Sequence, residues 1–332
     1  MTVLDMLQRP IEDIRISLTD KCNFRCTYCM PKSIYNREYA FLPRSELLNF
    51  EELQFLVQEL LPFGLKKVRL TGGEPLLRKD LEHLVKLIRS LSDDLDIAMT
   101  TNGVLLKQAL PNLIEAGLSR VTISLDAIEN EIFQSMADNQ IFSSKDVLDS
   151  ITYCKQNNLP TKVNAVIRKG VNEHQILPLL RAMIELDVEI RFIEFMDVGQ
   201  TNKWNLSEVV TGEEIRTIIA SEYGECQPVQ TKPSAVARQW KLSNGYVFGC
   251  IESVSKPFCS TCSRLRLSAN GRLYTCLFSE EHHDIKAIIR TSPGNVQSFI
   301  SSLWSKRKDR YSELRANNGP QQKKPEMSYI GG

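Results

Sequence analysis

A chain of 332 residues, 42% of them hydrophobic, can bury a large core, either as two domains or as one barrel with an extension. Lysine plus arginine (41) nearly cancels aspartate plus glutamate (40), which excludes a global field toward nucleic acid or a membrane, so any anion site must be built locally. Nine cysteines in a chain this long do not resemble the disulfide framework of a small secreted domain, and where they are grouped they read as metal ligands in a reducing cytoplasm.

The opening MTVLDMLQRP has no basic segment leading into an apolar run, so no secretory signal is expected. No apolar stretch is long enough to span a bilayer. Up to about residue 220, short β-rich runs alternate with amphipathic helical ones. Strands are predicted at DIRISLT (13–19), KVRLTGG (67–73), DIAMTTN (96–102), RVTISLD (120–126), KVNAVIR (162–168) and EIRFIEFM (189–196). Helix-period stretches such as FEELQFLVQELLPFG and EHQILPLLRAMIEL lie between them. Such spacing predicts parallel strands with right-handed crossovers. Six units are too few for an eight-fold barrel, so an open or partial barrel is expected, with chemistry at the C-terminal strand ends.

After residue 220 the pattern changes. RQWKLSNGYVFGCIESV predicts a hairpin turning at Asn244-Gly245, and SRLRLSANGRLYTCLF another at Asn270-Gly271. NVQSFISSLWSKRKDRYSELR reads as one basic helix, its SKRKDR (305–310) as a solvated face, and the last residues, ending MSYIGG, as a polar tail. The division expected is 1–220 and 221–332.

Two cysteine groups carry chemistry. Cys22, Cys26 and Cys29 are spaced C-x3-C-x2-C with Tyr28 before the last. Three thiolates on a short loop suit three irons of a [4Fe–4S] cube and leave the fourth without a protein ligand. Zinc is the alternative, but no histidine or fourth cysteine is near in sequence. Cys259, Cys262 and Cys276 repeat the three-thiol logic, and here Cys250 is a possible fourth ligand for a structural zinc. Cys154, Cys226 and Cys250 otherwise read as small core residues.

The C-x3-C-x2-C loop resembles the signature of the radical S-adenosylmethionine (SAM) superfamily, and Gly72-Gly73-Glu74-Pro75 resembles its GGEP stretch. FCSTCSRLRL…TCLF and the terminal SYIGG narrow the resemblance to the GTP 3′,8-cyclase family of molybdenum cofactor biosynthesis, from about Ile14 to Gly332. Ser263 stands where that family commonly has asparagine. The resemblance implies an α/β fold, a partial (β/α)6 radical SAM barrel with a C-terminal extension carrying a second iron–sulfur cluster. It implies two [4Fe–4S] clusters and SAM as cofactors, with SAM chelating the open iron of the first and GTP's guanine facing that of the second. It implies a 5′-deoxyadenosyl radical that takes the C3′ hydrogen of GTP, then ring closure to C8 giving 3′,8-cyclo-7,8-dihydro-GTP.

Residue by residue, the resemblance implies SAM contacts at Tyr28, Gly73, Ser124 and Met196. It implies GTP contacts at Arg15, Arg69, Thr100, Lys162, Arg191, Arg264, Leu265 and Arg266, and a catalytic role for Gly331 and Gly332. Tyr28 also reads as a packed loop aromatic. Read from the residues alone, Arg15, Arg69, Lys162 and Arg191 are cations inside apolar strands, expensive to bury unless paired. Glu189 and Glu194 are the nearby carboxylates, and an anionic ligand is the other way to neutralise them. Arg264 and Arg266 alternate with leucine and so share one face of a strand, their stems about 6 to 7 Å apart, a reach suited to neighbouring phosphates. Expected partners are GTP, an external electron donor and cyclic pyranopterin monophosphate synthase as product acceptor, with no nucleic acid and no membrane; a homodimer is left open. Two rivals remain: a peptide-modifying radical SAM maturase, and a metalloprotein using SKRKDR to bind nucleic acid.

Overall fold

The computed structural model describes residues 3–232, 234–315 and 324–331. The six expected strands are β1 (Asp13–Ser17), β2 (Lys67–Thr71), β3 (Asp96–Thr101), β4 (Arg120–Ser124), β5 (Thr161–Ile167) and β6 (Glu189–Glu194). Helices α1 (Phe50–Leu60), α2 (Leu81–Arg89), α3 (Leu106–Glu115), α4 (Asn130–Ala137), α5 (Ser144–Gln156) and α6 (Ile176–Glu185) fill the crossovers. The C-terminal part adds α7 (Gly212–Tyr223), β7 (Gln227–Val229), β8 (Arg238–Lys241), β9 (Val247–Ile251), β10 (Arg264–Leu267), β11 (Arg272–Tyr274) and β12 (His283–Asp284). It ends in α8 (Ile285–Thr291), α9 (Val296–Ser305), α10 (Tyr311–Leu314) and α11 (Met327–Ile330).

All the described strands form one sheet, in the order β12-β11-β10-β1-β2-β3-β4-β5-β6-β9-β8-β7. From β10 through β9 every neighbouring pair is parallel, and the outer hairpins are antiparallel. The period of two along each strand explains the layering. Ile14, Ile16, Val68, Leu70, Ile97, Met99, Val121, Ile123, Val163 and Ile190 face the helices and are fully buried. They meet apolar helix stripes such as Leu53, Leu56, Val57 and Leu60 of α1, which starts at a capping box between Asn49 and Glu52. The alternate residues Arg15, Arg69, Thr100, Thr122, Asn164, Arg191 and Ile193 line one cavity, so the sheet curls around it.

The hairpins fall where their turn residues predict, but the C-terminal region is not a separate sheet. β9 lies beside β6 and β10 beside β1, on opposite flanks of the six central strands. Residues 252–263 must therefore cross the open side of the curl, and they carry Cys259 and Cys262 over the cavity. The expected single basic helix is two. α9 stops at Ser305 and α10 begins at Tyr311, because Arg307 turns inward and is only 4% exposed while Lys306 and Lys308 remain outside.

Candidate active site

The first cysteine loop follows β1 and is strapped to α4 by Arg25 N–H to the Ala137 carbonyl and Thr27 N–H to the Met136 carbonyl, both 3.0 Å. Cys29 and Met30 N–H groups both point to the Cys26 carbonyl (3.0 and 2.9 Å), which winds the three thiols into one tight turn. Burial, with the Glu74 carboxylate nearby, pushes the Cys22 thiol up to about 12; burial and the neighbouring thiols raise Cys26 and Cys29 as well. Iron must therefore displace protons to bind there.

Gly72 and Gly73 serve this loop directly. A Cβ on Gly73 would lie 2.2 Å from the Lys21 carbonyl oxygen, and one on Gly72, whose φ is +144°, 2.6 Å from that of Thr19. The Gly73 N–H donates to the Thr19 carbonyl at 2.7 Å and the Glu74 N–H to that of Lys21 at 2.8 Å. The backbone these glycines let approach is thus that of the cysteine loop. Glu74, buried, accepts from the Thr101 hydroxyl (2.7 Å) and the Asn102 N–H (2.9 Å), and burial raises its carboxyl to about 7.

Tyr28 joins this loop to the cavity. It lines the cavity wall, and its hydroxyl donates to Asp126 Oδ2 at 2.6 Å, while the Val166 N–H donates to Oδ1 at 2.8 Å. Burial lifts Asp126 to about 6 against those bonds. Met196, just past β6, also lines the cavity; Ser124, at the end of β4, is half-buried outside the lining.

The cations fall into two layers set by strand register. Arg266, Arg15 and Arg69 are Cα partners across β10, β1 and β2, a row of guanidiniums at strand spacings of about 4.8 Å. Arg69 donates to the Thr100 and Thr122 hydroxyls (2.8 and 3.3 Å), and the Nε atoms of Arg15 and Arg69 are buried with no acceptor among the described residues. Burial and the neighbouring Arg15 drive Arg69 down to about 9, and burial with Arg15 and Arg264 likewise lowers Arg266 well below its ordinary value. Lys162 and Arg191, by contrast, share one carboxylate, meeting Glu189 at 2.7 and 2.6 Å. Lys162 does not line the cavity; Arg191 does. Glu194 pairs with no cation among the described residues and accepts from the N–H groups of Gly212, Val254 and Ser255, 2.8 Å each. Leu265 faces the helices, fully buried, which leaves only its backbone toward the cavity.

Cys259, Cys262 and Cys276 line the same cavity as the arginines. Arg264 Nε and Arg307 Nη2 each donate to Cys262 Sγ at 3.3 Å, and Arg307 Nη1 donates to its carbonyl at 2.6 Å. Burial opposes ionisation of Cys262, but the two guanidiniums outweigh it and bring the thiol down to about 6. Behind them, Asp5 holds Arg9 (2.5 Å) and Arg307 (3.5 Å), Arg9 Nη1 donates to the Cys259 carbonyl (2.7 Å), and Trp304 Nε1 donates to the Arg9 carbonyl (2.8 Å). The sequence reading missed this support. Its only trace was a tryptophan three residues before an arginine, which reads as an ordinary helix face.

The donor sets fit iron–sulfur clusters. Each site offers three thiols, the donor number that a [4Fe–4S] cube with one open iron takes. Cys250 belongs to the core on the far side of β9, as Cys154 does on α5, so the zinc alternative loses its fourth ligand.

Residues 324–331 reach into the site. Arg266 donates to the Gly331 carbonyl, and Met327 lines the cavity. Gly331 has φ +72°, and a Cβ there would lie 2.3 Å from Thr71 Cγ2. Gly332 lies outside the described residues.

Comparison with known proteins agrees with this anatomy. The radical SAM superfamily matches residues 16–183, and the family described as Molybdenum Cofactor Synthesis C matches 188–313. A GTP 3′,8-cyclase of Staphylococcus haemolyticus is 46% identical over 338 residues, covering 99% of each chain. One from Staphylococcus aureus is 44% identical with the same coverage. Among solved structures, Streptococcus suis SuiB bound to S-adenosylmethionine aligns with a TM-score of 0.55 at 15% identity, over 98% of this chain and 75% of that one. Native anSMEcpe with bound AdoMet aligns at 0.55 and 16%, over 91% and 87%. These two share its fold; the near-complete match to the cyclases says more, and the chain belongs to the GTP 3′,8-cyclase family of radical SAM enzymes.

Proposed function

We propose that this chain cyclises GTP to (8S)-3′,8-cyclo-7,8-dihydro-GTP in molybdenum cofactor biosynthesis, within the one cavity that Tyr28, the arginine row and the second cysteine triad share. The observation that carries this reading is the row Arg266–Arg15–Arg69, cations with no carboxylate bonded to them among the described residues, the Nε atoms of Arg15 and Arg69 being buried and left without an acceptor there. Such a row is stable only opposite an anion of several charges, and a triphosphate supplies it.

Cys22, Cys26 and Cys29 would hold one [4Fe–4S] cluster, Cys259, Cys262 and Cys276 a second. SAM held at the first would supply, on one-electron reduction, the hydrogen-abstracting chemistry that the ribose needs. What the protein itself contributes is placement. Tyr28, fixed by Asp126, forms the wall between the first cysteine loop and the cavity, with Gly73, Ser124 and Met196 as further SAM contacts. Arg15, Arg69, Arg264 and Arg266 grip the phosphates, while Thr100 fixes Arg69. Arg191 reaches the cavity directly, Lys162 acts through their shared Glu189, and Leu265 offers backbone alone. The grip holds the ribose near the radical source, where proximity lowers the barrier, and the crossing loop and tail exclude water and stray hydrogen donors. Gly331 completes that enclosure.

Residues 1–220 form the radical SAM barrel and 221–332 the part that carries the second cluster and the Gly-Gly tail, and both supply residues to the nucleotide cavity. The electron comes from an external donor, the product passes to cyclic pyranopterin monophosphate synthase, and the reaction belongs in the cytoplasm, as a monomer or homodimer. Among the described residues no helix is long and apolar enough to cross a membrane. Anaerobic incubation with SAM, GTP and a reductant tests the proposal: 5′-deoxyadenosine together with a cyclised nucleotide is expected. Deoxyadenosine formed only with a peptide panel, and never with GTP, would replace it with a maturase.

A further inference from the structure

The loop leaving β6 makes more polar contacts than a connector needs. Asp197, one residue past Met196, is buried, and its carboxylate accepts from Tyr311 Oη (2.7 Å), Lys324 Nζ (2.7 Å) and Arg315 Nε (3.0 Å). Lys324 Nζ also donates to the Asp197 carbonyl (3.1 Å) and sits 4.5 Å over the Tyr311 ring, which stacks on Phe278 beside the second triad. Two residues further along, Glu326 accepts from the N–H of Gln200 (2.9 Å), the N–H of Thr201 (3.2 Å) and the Thr201 hydroxyl (2.9 Å). From these two grips the segment runs on to Met327 in the cavity wall and to Gly331 on Arg266.

We infer that Asp197 is a positioning residue, the latch that fixes residues 324–331 so that Gly331 aims Arg266 at the nucleotide phosphates. None of its three side-chain donors belongs to β6. Two come from the α10 region and one from the strap itself, so the buried carboxylate is fully satisfied only with the strap down. Should Lys324 withdraw, Arg315 and Tyr311 still hold the charge, which allows release without leaving a bare buried ion. Arg266 has other N–H groups beyond the one that Gly331 takes, so the same guanidinium can meet strap and phosphate together. The inference depends on the cyclase reading only for the identity of the phosphate ligand.

Hydrogen–deuterium exchange on the full-length protein tests the latch without substrate. In Asp197→Asn and in Lys324→Met, exchange at residues 327–331 is expected to accelerate by about tenfold or more, the loss of a charged hydrogen bond, with the amides of β1 to β6 unchanged. Lys324→Arg should restore most of the protection. In the loaded enzyme, both disruptive variants are expected to lower kcat roughly tenfold while the KM for GTP stays within about threefold, because misalignment rather than lost grip is the defect. Parental exchange at 327–331 in both variants would overturn the latch. So would an Asp197→Asn protein that loosens β6 while Lys324→Met behaves as the parent, since Asp197 would then merely stabilise the sheet. Accelerated strap exchange in a protein that never cyclises GTP would leave the latch standing and remove the cyclase reading instead.

Discussion

Arg15, Arg69, Lys162 and Arg191 look alike in sequence, and the fold sorts them by register. Lys162 and Arg191 share Glu189, whereas Arg15 and Arg69 fall in line with Arg266 and keep buried Nε atoms without acceptors among the described residues. Removing a member of the open row should therefore cost more than removing a paired one. Arg266→Ala and Arg69→Met are expected to weaken GTP binding by roughly 10- to 100-fold, the worth of one charge-assisted contact, with iron content unchanged. Lys162→Met should cost several-fold less, since Arg191 still neutralises Glu189. Titration calorimetry with parallel iron analysis checks both. Arg264 is a poorer probe, because its Nε also donates to Cys262 Sγ and its loss disturbs the metal site together with the nucleotide site.

At the level of elements, the second cysteine triad is held from behind by residues that no motif contains. Arg307, in the turn between α9 and α10, reaches both the carbonyl and the sulfur of Cys262, and Asp5 and Trp304 fix it. Hydrogen bonds to ligand sulfur and carbonyl hold a cluster's geometry and tune its potential. Arg307→Met is thus expected to lower occupancy of the second cluster selectively, leaving about four irons per chain at the first, as read by iron analysis and electron paramagnetic resonance. The strap makes an equally specific demand at Gly331. Gly331→Ala would drive a methyl into Thr71 Cγ2, and turnover should fall at least about tenfold, by loss of alignment. Thr71→Ser removes that carbon, so the double variant should recover part of the activity. The strap's acid sensitivity follows from Asp197. Burial would raise its carboxyl, but Lys324, Tyr311 and Arg315 hold it below the ordinary value of 3.8. A depressed carboxylate contributes stability above its unfolded value and loses it as pH falls through the folded one. Strap protection is therefore expected to be flat across neutral and mildly acid pH and to fall only below about pH 4, with Asp197→Asn lacking that step.

For the molecule as a whole, one sheet does the work of two domains. Because β9 and β10 extend opposite flanks of the same curl, the crossing loop lays Cys259 and Cys262 over the cavity that Tyr28 shares with the first cysteine loop, where Cys276, just after β11, joins them. Anaerobically reconstituted protein should carry about eight irons and eight sulfides per chain; four irons with one zinc would return the second triad to a structural role. The six central strands, both hairpins and both thiol triads were legible in the sequence, because each is set by local pattern: a period of two, an Asn-Gly turn, cysteines a few residues apart. The arginine pair of β10 was legible for the same reason. What no local pattern contains is pairing between distant segments. Only the tertiary structure decided which cations share Glu189 and which stand open, since that depends on the register of β10 on β1 and of β5 on β6. The Asp5–Arg307 ion pair, Arg9 on the Cys259 carbonyl and the Asp197 latch are likewise contacts over more than a hundred residues of sequence. Such contacts leave no periodic trace in a sequence, and burial alone brings them together.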